Sequence, residues 1–74
     1  MNIILMRHGE AVPFAPNDAD RILTPKGKSQ ATNTGSQLKR GGWIPEAVYC
    51  STLIRARQTA ELVIDVMRLD MIVN

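Results

Sequence analysis

The chain opens on an apolar run, "MNIILM", in which Asn2 to Met6 are rich in β-branched side chains and show no polar alternation. Such a run predicts a strand buried on both faces. "AVPFAPNDADR" follows, with prolines and Asp/Asn turn formers at short intervals, and Gly9 to Arg21 read as a loop. A helical spacing then begins. Thr24 stands as N-cap, Pro25 takes the first helical position, where its missing N–H costs nothing, and Ala31, Thr34 and Leu38 continue one face. Gly27 and Gly35 weaken this helix. Its stop is stronger: Lys39 and Arg40 suit the negative end, and Gly41-Gly42 supplies a left-handed cap.

"EAVYCS" predicts a second short strand, and "TLIRARQTAELVIDVMRL" predicts the clearest helix, with Ala56, Ala60, Val63 and Met67 on one face and Ser51 or Thr52 as cap. "DMIVN" has the pattern of a third strand at its onset. Strand, helix, strand, helix and a strand onset form the α/β pattern, with a parallel sheet and right-handed crossovers. No repeat, low-complexity segment or linker divides residues 1–74.

Composition narrows the choices. With 74 residues there is room for one small domain at most, and a chain of this size buries only ~60% of the surface its unfolded form exposes. Cys50 is the one cysteine, so no intrachain disulfide forms, and no Cys/His cluster has zinc spacing. A formal charge of +2, with dispersed basic residues and one each of Trp, Tyr and Phe, argues against a nucleic-acid partner. No apolar run approaches the ~20 residues of a membrane span, and the start lacks a signal-peptide layout. A soluble, cytoplasmic protein is the expectation.

The α/β pattern gives the charged residues a location. Ligands of open parallel sheets bind beyond the carboxyl ends of the strands. Arg7-His8 directly follow the first predicted strand, and Ser51 to Arg55 directly follow the second. If those strands are neighbours, Arg7, His8 and Arg55 converge with the N-terminus of the second helix and form an anion site suited to phosphate. Each residue also has a plainer reading. His8 taken alone is a strand-end structural histidine, although a cation beside an imidazole favours the uncharged ring, with a nucleophilic nitrogen free. Arg7 alone is a surface charge. Arg55 and Arg57 alone are solvated helix residues with (i, i+4) partners Thr59 and Glu61, which is the assignment for Arg57. Glu10 reads as a loop carboxylate, with a weakly supported role in proton transfer, and Cys50 as a buried small hydrophobe rather than a nucleophile.

"LMRHGEA" resembles the Arg-His-Gly signature of the histidine phosphatase superfamily, the phosphoglycerate-mutase-like enzymes, and "RILTPKGKSQA" resembles the segment that follows it there. "VYCSTLIRARQTAE" is similar to the family's Ser-Pro-x-x-Arg-Ala-x-Gln-Thr segment. The resemblance runs from about Ile4 to Val63, with three motifs in order, and the compact spacing looks most like the small phosphohistidine phosphatase branch, SixA. It implies a three-layer fold with a parallel sheet, present here as its N-terminal β-α-β-α-(β) portion. His8 would be the nucleophile that forms a phosphohistidine intermediate, and Arg7 and Arg55 would clamp the phosphoryl oxygens. No metal or organic cofactor is implied. The substrate would be a phosphohistidine on a phosphorelay or phosphotransfer protein.

The chain departs from the family pattern in two ways. Thr52 stands where the family usually has proline, which loosens the turn and removes no chemistry. The family pocket also uses a second histidine in a later Gly-His motif, and many members add a proton-donating carboxylate; His8 is the only histidine here. Three readings follow. The chain is the N-terminal half of a phosphohistidine phosphatase, weak or inactive alone. Or it belongs to a phosphoglycerate mutase or a broad phosphatase acting on small phosphoesters. Or it is a non-enzymatic remnant that binds phosphate or a partner, prone to self-association through an exposed sheet edge.

Overall fold

Residues 3–73 are described by the structure, a computed structural model. The first helix, α1 (Pro25–Arg40), starts where the sequence places it: Thr24 is in extended backbone, and its Oγ1 accepts the Gly27 N–H at 3.0 Å. It ends in a Schellman motif. Gly42 adopts φ +77°, its N–H donates to Lys39 O at 3.1 Å, and the Trp43 N–H donates to Leu38 O at 3.0 Å. The second helix, α2 (Ile54–Met67), closes the same way, with Arg68 at φ 56° in the left-handed position. There the Arg68 N–H reaches Asp65 O and the Leu69 N–H reaches Ile64 O, both at 3.1 Å.

The start of α2 corrects one expectation. Neither Ser51 nor Thr52 caps it; the N-cap is Leu53, whose carbonyl accepts from the Ala56 and Arg57 N–H groups. The Ser51 hydroxyl oxygen instead accepts from the Leu53 N–H at 3.4 Å, holding the approach to the helix rather than its first turn.

The helices pack on each other around Leu23, Ala31, Ala60, Val63, Ile64 and Met67. The predicted stripe is on that face: Ala60, Val63 and Met67 are buried and Ala56 is half-buried. Gly35 allows the close approach, because a Cβ there would lie 3.2 Å from Val63 Cα. A residue that weakens α1 in isolation therefore suits it for packing against α2.

The three expected strands are not formed as strands among the described residues. Asn2 and Asn74 lie outside those residues. Ile3 to Met6 have no ladder and are exposed, Leu5 by 90%, where cover on both faces was expected. The second and third segments contribute one residue each to a parallel bridge, Val48 with Val73. The physical reason is cover: parallel strands are stable with paired neighbours and helices over both faces, whereas α1 and α2 bury their apolar faces mainly against each other. Cys50, expected to be buried within a strand, is half-buried. The loop is more ordered than expected. An antiparallel bridge between Ala11 and Leu23 closes its base, and Asp18–Asp20 form a single 3-10 turn capped by the Asn17 side chain. No helix among the described residues is long and apolar enough to cross a membrane.

Candidate active site

At Arg7-His8-Gly9 the chain passes from an exposed segment into the interior, with Gly9 buried and His8 exposed. The Gly9 N–H donates to Thr59 Oγ1 at 3.1 Å, and the Thr59 hydroxyl donates to Arg55 O at 2.8 Å. Gly9 lies directly against Gly27. A Cβ on Gly9 would run into the Gly27 carbonyl, and one on Gly27 into the Glu10 carbonyl. The Glu10 N–H donates to Gln30 Oε1 at 2.8 Å, and the Thr24 N–H donates to Glu10 O at 2.9 Å. The turn that carries His8 is thus fastened to both helices.

The ring of His8 has a defined partner on each side. Its Nδ1 lies 2.7 Å from Gly9 O, and since a carbonyl only accepts, Nδ1 carries the proton. Its Nε2 accepts from Arg55 Nε at 3.3 Å, and since a guanidinium only donates, Nε2 presents its lone pair. Together these contacts leave the ring's lone pair on Nε2, where it accepts from a cation.

Arg55 lies in the first turn of α2 and is buried, with 8% exposure. Besides Nε, its Nη1 donates to Asp18 O at 2.9 Å and its Nη2 to Asp18 Oδ2 at 3.3 Å. The other carboxylate oxygen of Asp18 accepts from Arg21 Nη1 at 2.9 Å, and Arg21 Nε donates to Val12 O at 2.7 Å. These cations hold the Asp18 carboxyl below its ordinary range, the Arg21 hydrogen bond contributing most and the Arg55 hydrogen bond next.

Of the expected site residues, the structure joins His8 to Arg55. Arg7 is exposed and has no hydrogen bond or ion pair to another described residue. Arg57 pairs with Glu61 at 3.6 Å, as its plainer reading has it, and Glu10 lies 3.9 Å from Lys26. Sequence reasoning missed Asp18 and Arg21, and it gave no role to Gln58, whose Oε1 accepts the Leu23 N–H at 2.8 Å, or to Thr59 as an anchor for Gly9. A signal for the last two was present. Arg55, Gln58 and Thr59 are spaced i, i+3, i+4, so three polar side chains share one helix side. For Asp18 and Arg21 the only hint was opposite charge at an (i, i+3) spacing.

Residues 3–74 match the sequence profile of the Histidine phosphatase superfamily (branch 1). The serine/threonine-protein phosphatase Pgam5, mitochondrial, of Drosophila ananassae is 38% identical over 69 residues, covering 93% of this chain and 24% of that protein. Its Xenopus tropicalis counterpart is 37% identical over 62 residues, 84% of this chain and 22% of that one. Among solved structures, the protein histidine phosphatase SixA complexed with tungstate superposes with a TM-score of 0.88 at 35% identity, over 93% of this chain and 44% of that one. A SixA structure from Agrobacterium tumefaciens gives 0.84 at 25% identity, over 93% and 46%. The chain spans about a quarter of the length of these curated relatives and under half of the SixA chains. The profile match takes in the Arg-His-Gly turn, both helices and the Arg55 segment together: the chain belongs to the histidine phosphatase superfamily, branch 1.

Proposed function

We propose that this chain provides the phosphoryl-accepting part of a protein phosphohistidine phosphatase, with His8 as nucleophile and Arg7 and Arg55 as the phosphoryl clamp. The observation that carries the reading is the His8 ring, with Nδ1–H on Gly9 O and the Nε2 lone pair beside Arg55. In the first step Nε2 gives up the Arg55 Nε–H hydrogen bond and its lone pair forms the Nε2–P bond as the substrate's N–P bond breaks; the leaving imidazole keeps that electron pair and takes up a proton from water, leaving hydroxide. Arg55 and the exposed Arg7 offset the charge on the nonbridging oxygens. In the second step water attacks phosphorus, Nε2 recovers the electron pair of the breaking N–P bond, the water's proton passes to the hydroxide left by the first step, and inorganic phosphate departs. On this reading the segments around residues 3–6, 46–50 and 71–73 belong to a parallel sheet, supported by the Val48–Val73 bridge.

A phosphorylated protein as substrate fits the names of both groups of relatives. The names of the Pgam5 relatives favour phosphoserine or phosphothreonine, and the SixA superposition favours phosphohistidine, which we adopt because that superposition takes in 93% of this chain at a TM-score of 0.88. Single-turnover assays with a histidine-phosphorylated protein and a phosphoserine peptide test this choice. The expected result is phosphoryl loss from phosphohistidine alone, absent in His8→Ala and slowed ~100-fold in Arg55→Lys. Preference for the phosphoserine peptide, or an undiminished rate in His8→Ala, would overturn it.

A further inference from the structure

We propose that Asp18 is a positioning residue of this site: locked by Arg21, it fixes the plane of the Arg55 guanidinium beside His8 Nε2, so that one N–H on each Nη is presented to the oxygens of an incoming phosphoryl group. The inference rests on His8 Nε2 being the nucleophile and assigns a function to a residue outside the signature motifs.

An arginine side chain has many rotamers, and a single 3.3 Å bond to a ring nitrogen does not select one. Asp18 supplies the rest. Its carbonyl takes Nη1 and its carboxylate takes Nη2, so with His8 the guanidinium is held at all three nitrogens and its plane is set. Asp18 is itself held. Its Oδ1 accepts from Arg21 Nη1, its carbonyl also accepts the Arg21 N–H at 3.1 Å, and Arg21 Nε is anchored on Val12 O. The 3-10 turn that presents Asp18 is capped by Asn17 and packs against α2. A relay of contacts therefore runs from the closed base of the loop through Arg21, Asp18 and Arg55 to the nucleophile.

A rival role is that of a carboxylate occupying the place of a phosphoryl oxygen and blocking it. Donor counting argues against this. A guanidinium has five N–H groups, and three are engaged, one each at Nε, Nη1 and Nη2, which leaves one on each Nη for a phosphoryl group. The lowered pKa of the Asp18 carboxyl agrees with a group held charged between two cations.

The test uses the 74-residue chain, phosphoramidate as a small N–P phosphoryl donor, and nitrogen NMR of the His8 ring. Asp18→Asn should slow His8 phosphorylation about tenfold and raise the fraction of ring protonated at Nε2, with helix content unchanged by circular dichroism. Asp18→Glu should recover part of the loss. Arg21→Lys, which leaves Asp18 in place, should give a smaller change in the same direction. On an Arg55→Ala background Asp18→Asn should have no further effect, since the residue acts through Arg55. An unchanged rate and tautomer in Asp18→Asn would overturn the proposal. So would faster phosphorylation, the mark of a blocking anion, or an equal loss on the Arg55→Ala background, the mark of a merely structural role. If the wild-type chain takes up no phosphoryl group, the nucleophile reading falls, and the positioning of Arg55 is then judged on the ring tautomer alone.

Discussion

Gly9 and Gly27 show how the signature turn depends on the absence of side chains. Each presents backbone to backbone at the point where the chain passes from the exposed His8 into the interior, and a methyl group on either would meet a carbonyl. Alanine at position 27 gains about 1 kcal/mol of helix propensity, but overpacking against a main-chain atom typically costs about 1–3 kcal/mol. Gly27→Ala should therefore lower stability in urea titration and also disturb the His8 ring; a stabilised variant with an unchanged His8 spectrum would contradict the packing described here. Asp18 gives a second prediction. Its carboxyl is depressed in the folded chain, chiefly by Arg21 and then by Arg55, so folding favours the ionised form. That contribution is complete above the ordinary carboxylate range and is lost as pH falls through the depressed folded value. The stability difference between the wild type and Asp18→Asn should close on acidification, and because Asp18 is exposed it should also shrink with salt. A difference that persists into strong acid would show that the Arg21 and Arg55 pairs do not carry it. None of this was legible beforehand for Asp18 and Arg21, which lie in a loop whose sequence announces turns but not which turn meets which helix.

Both helices close in left-handed residues, but only one of those residues is a glycine. Gly42 occupies its position without strain, whereas Arg68 at φ 56° bears a Cβ in a region that disfavours it by ~1–2 kcal/mol. Arg68→Gly should raise the denaturation midpoint by an amount equivalent to about 1 kcal/mol, and a loss would mean that the Arg68 side chain has stabilising contacts of its own. Thr24→Ala should cost ~1 kcal/mol by removing the Gly27 N–H acceptor. The helices were readable because their signals are local: a cap, a proline at the first position, a diglycine stop and an apolar stripe all act within a few residues. The cap of α2 was misread because Ser51 and Thr52 have the right chemistry, but the chain enters helical geometry only after Leu53. Strands depend on partners far along the chain, so the apolar run Ile3–Met6 was recognisable as strand-like without revealing whether anything pairs with it.

The molecule as a whole leaves much apolar surface in water. Ile3, Leu5, Phe14, Tyr49 and Ile72 are each at least three-quarters exposed, and among the described residues a single parallel bridge joins the segments carrying Tyr49 and Ile72. Unpaired backbone beside such side chains favours association with other chains. Sedimentation should show concentration-dependent self-association of the 74-residue chain, reduced in Leu5→Lys and Ile72→Lys; a monomer at all concentrations would contradict this. The His8–Arg55 pairing was legible because it depends on motif order and the approach of two segments, and it is present without a complete ladder between them. Arg7, placed in the same cluster by sequence, is exposed and has no hydrogen bond or ion pair to another described residue. The orientation of the His8 ring can be read from where it reacts. Phosphorylating the chain and locating phosphorus on the imidazole by phosphorus–nitrogen coupling should place the adduct on Nε2. An adduct on Nδ1, the nitrogen committed to the Gly9 carbonyl, would contradict the arrangement of Gly9, His8 and Arg55 from which the proposed chemistry follows.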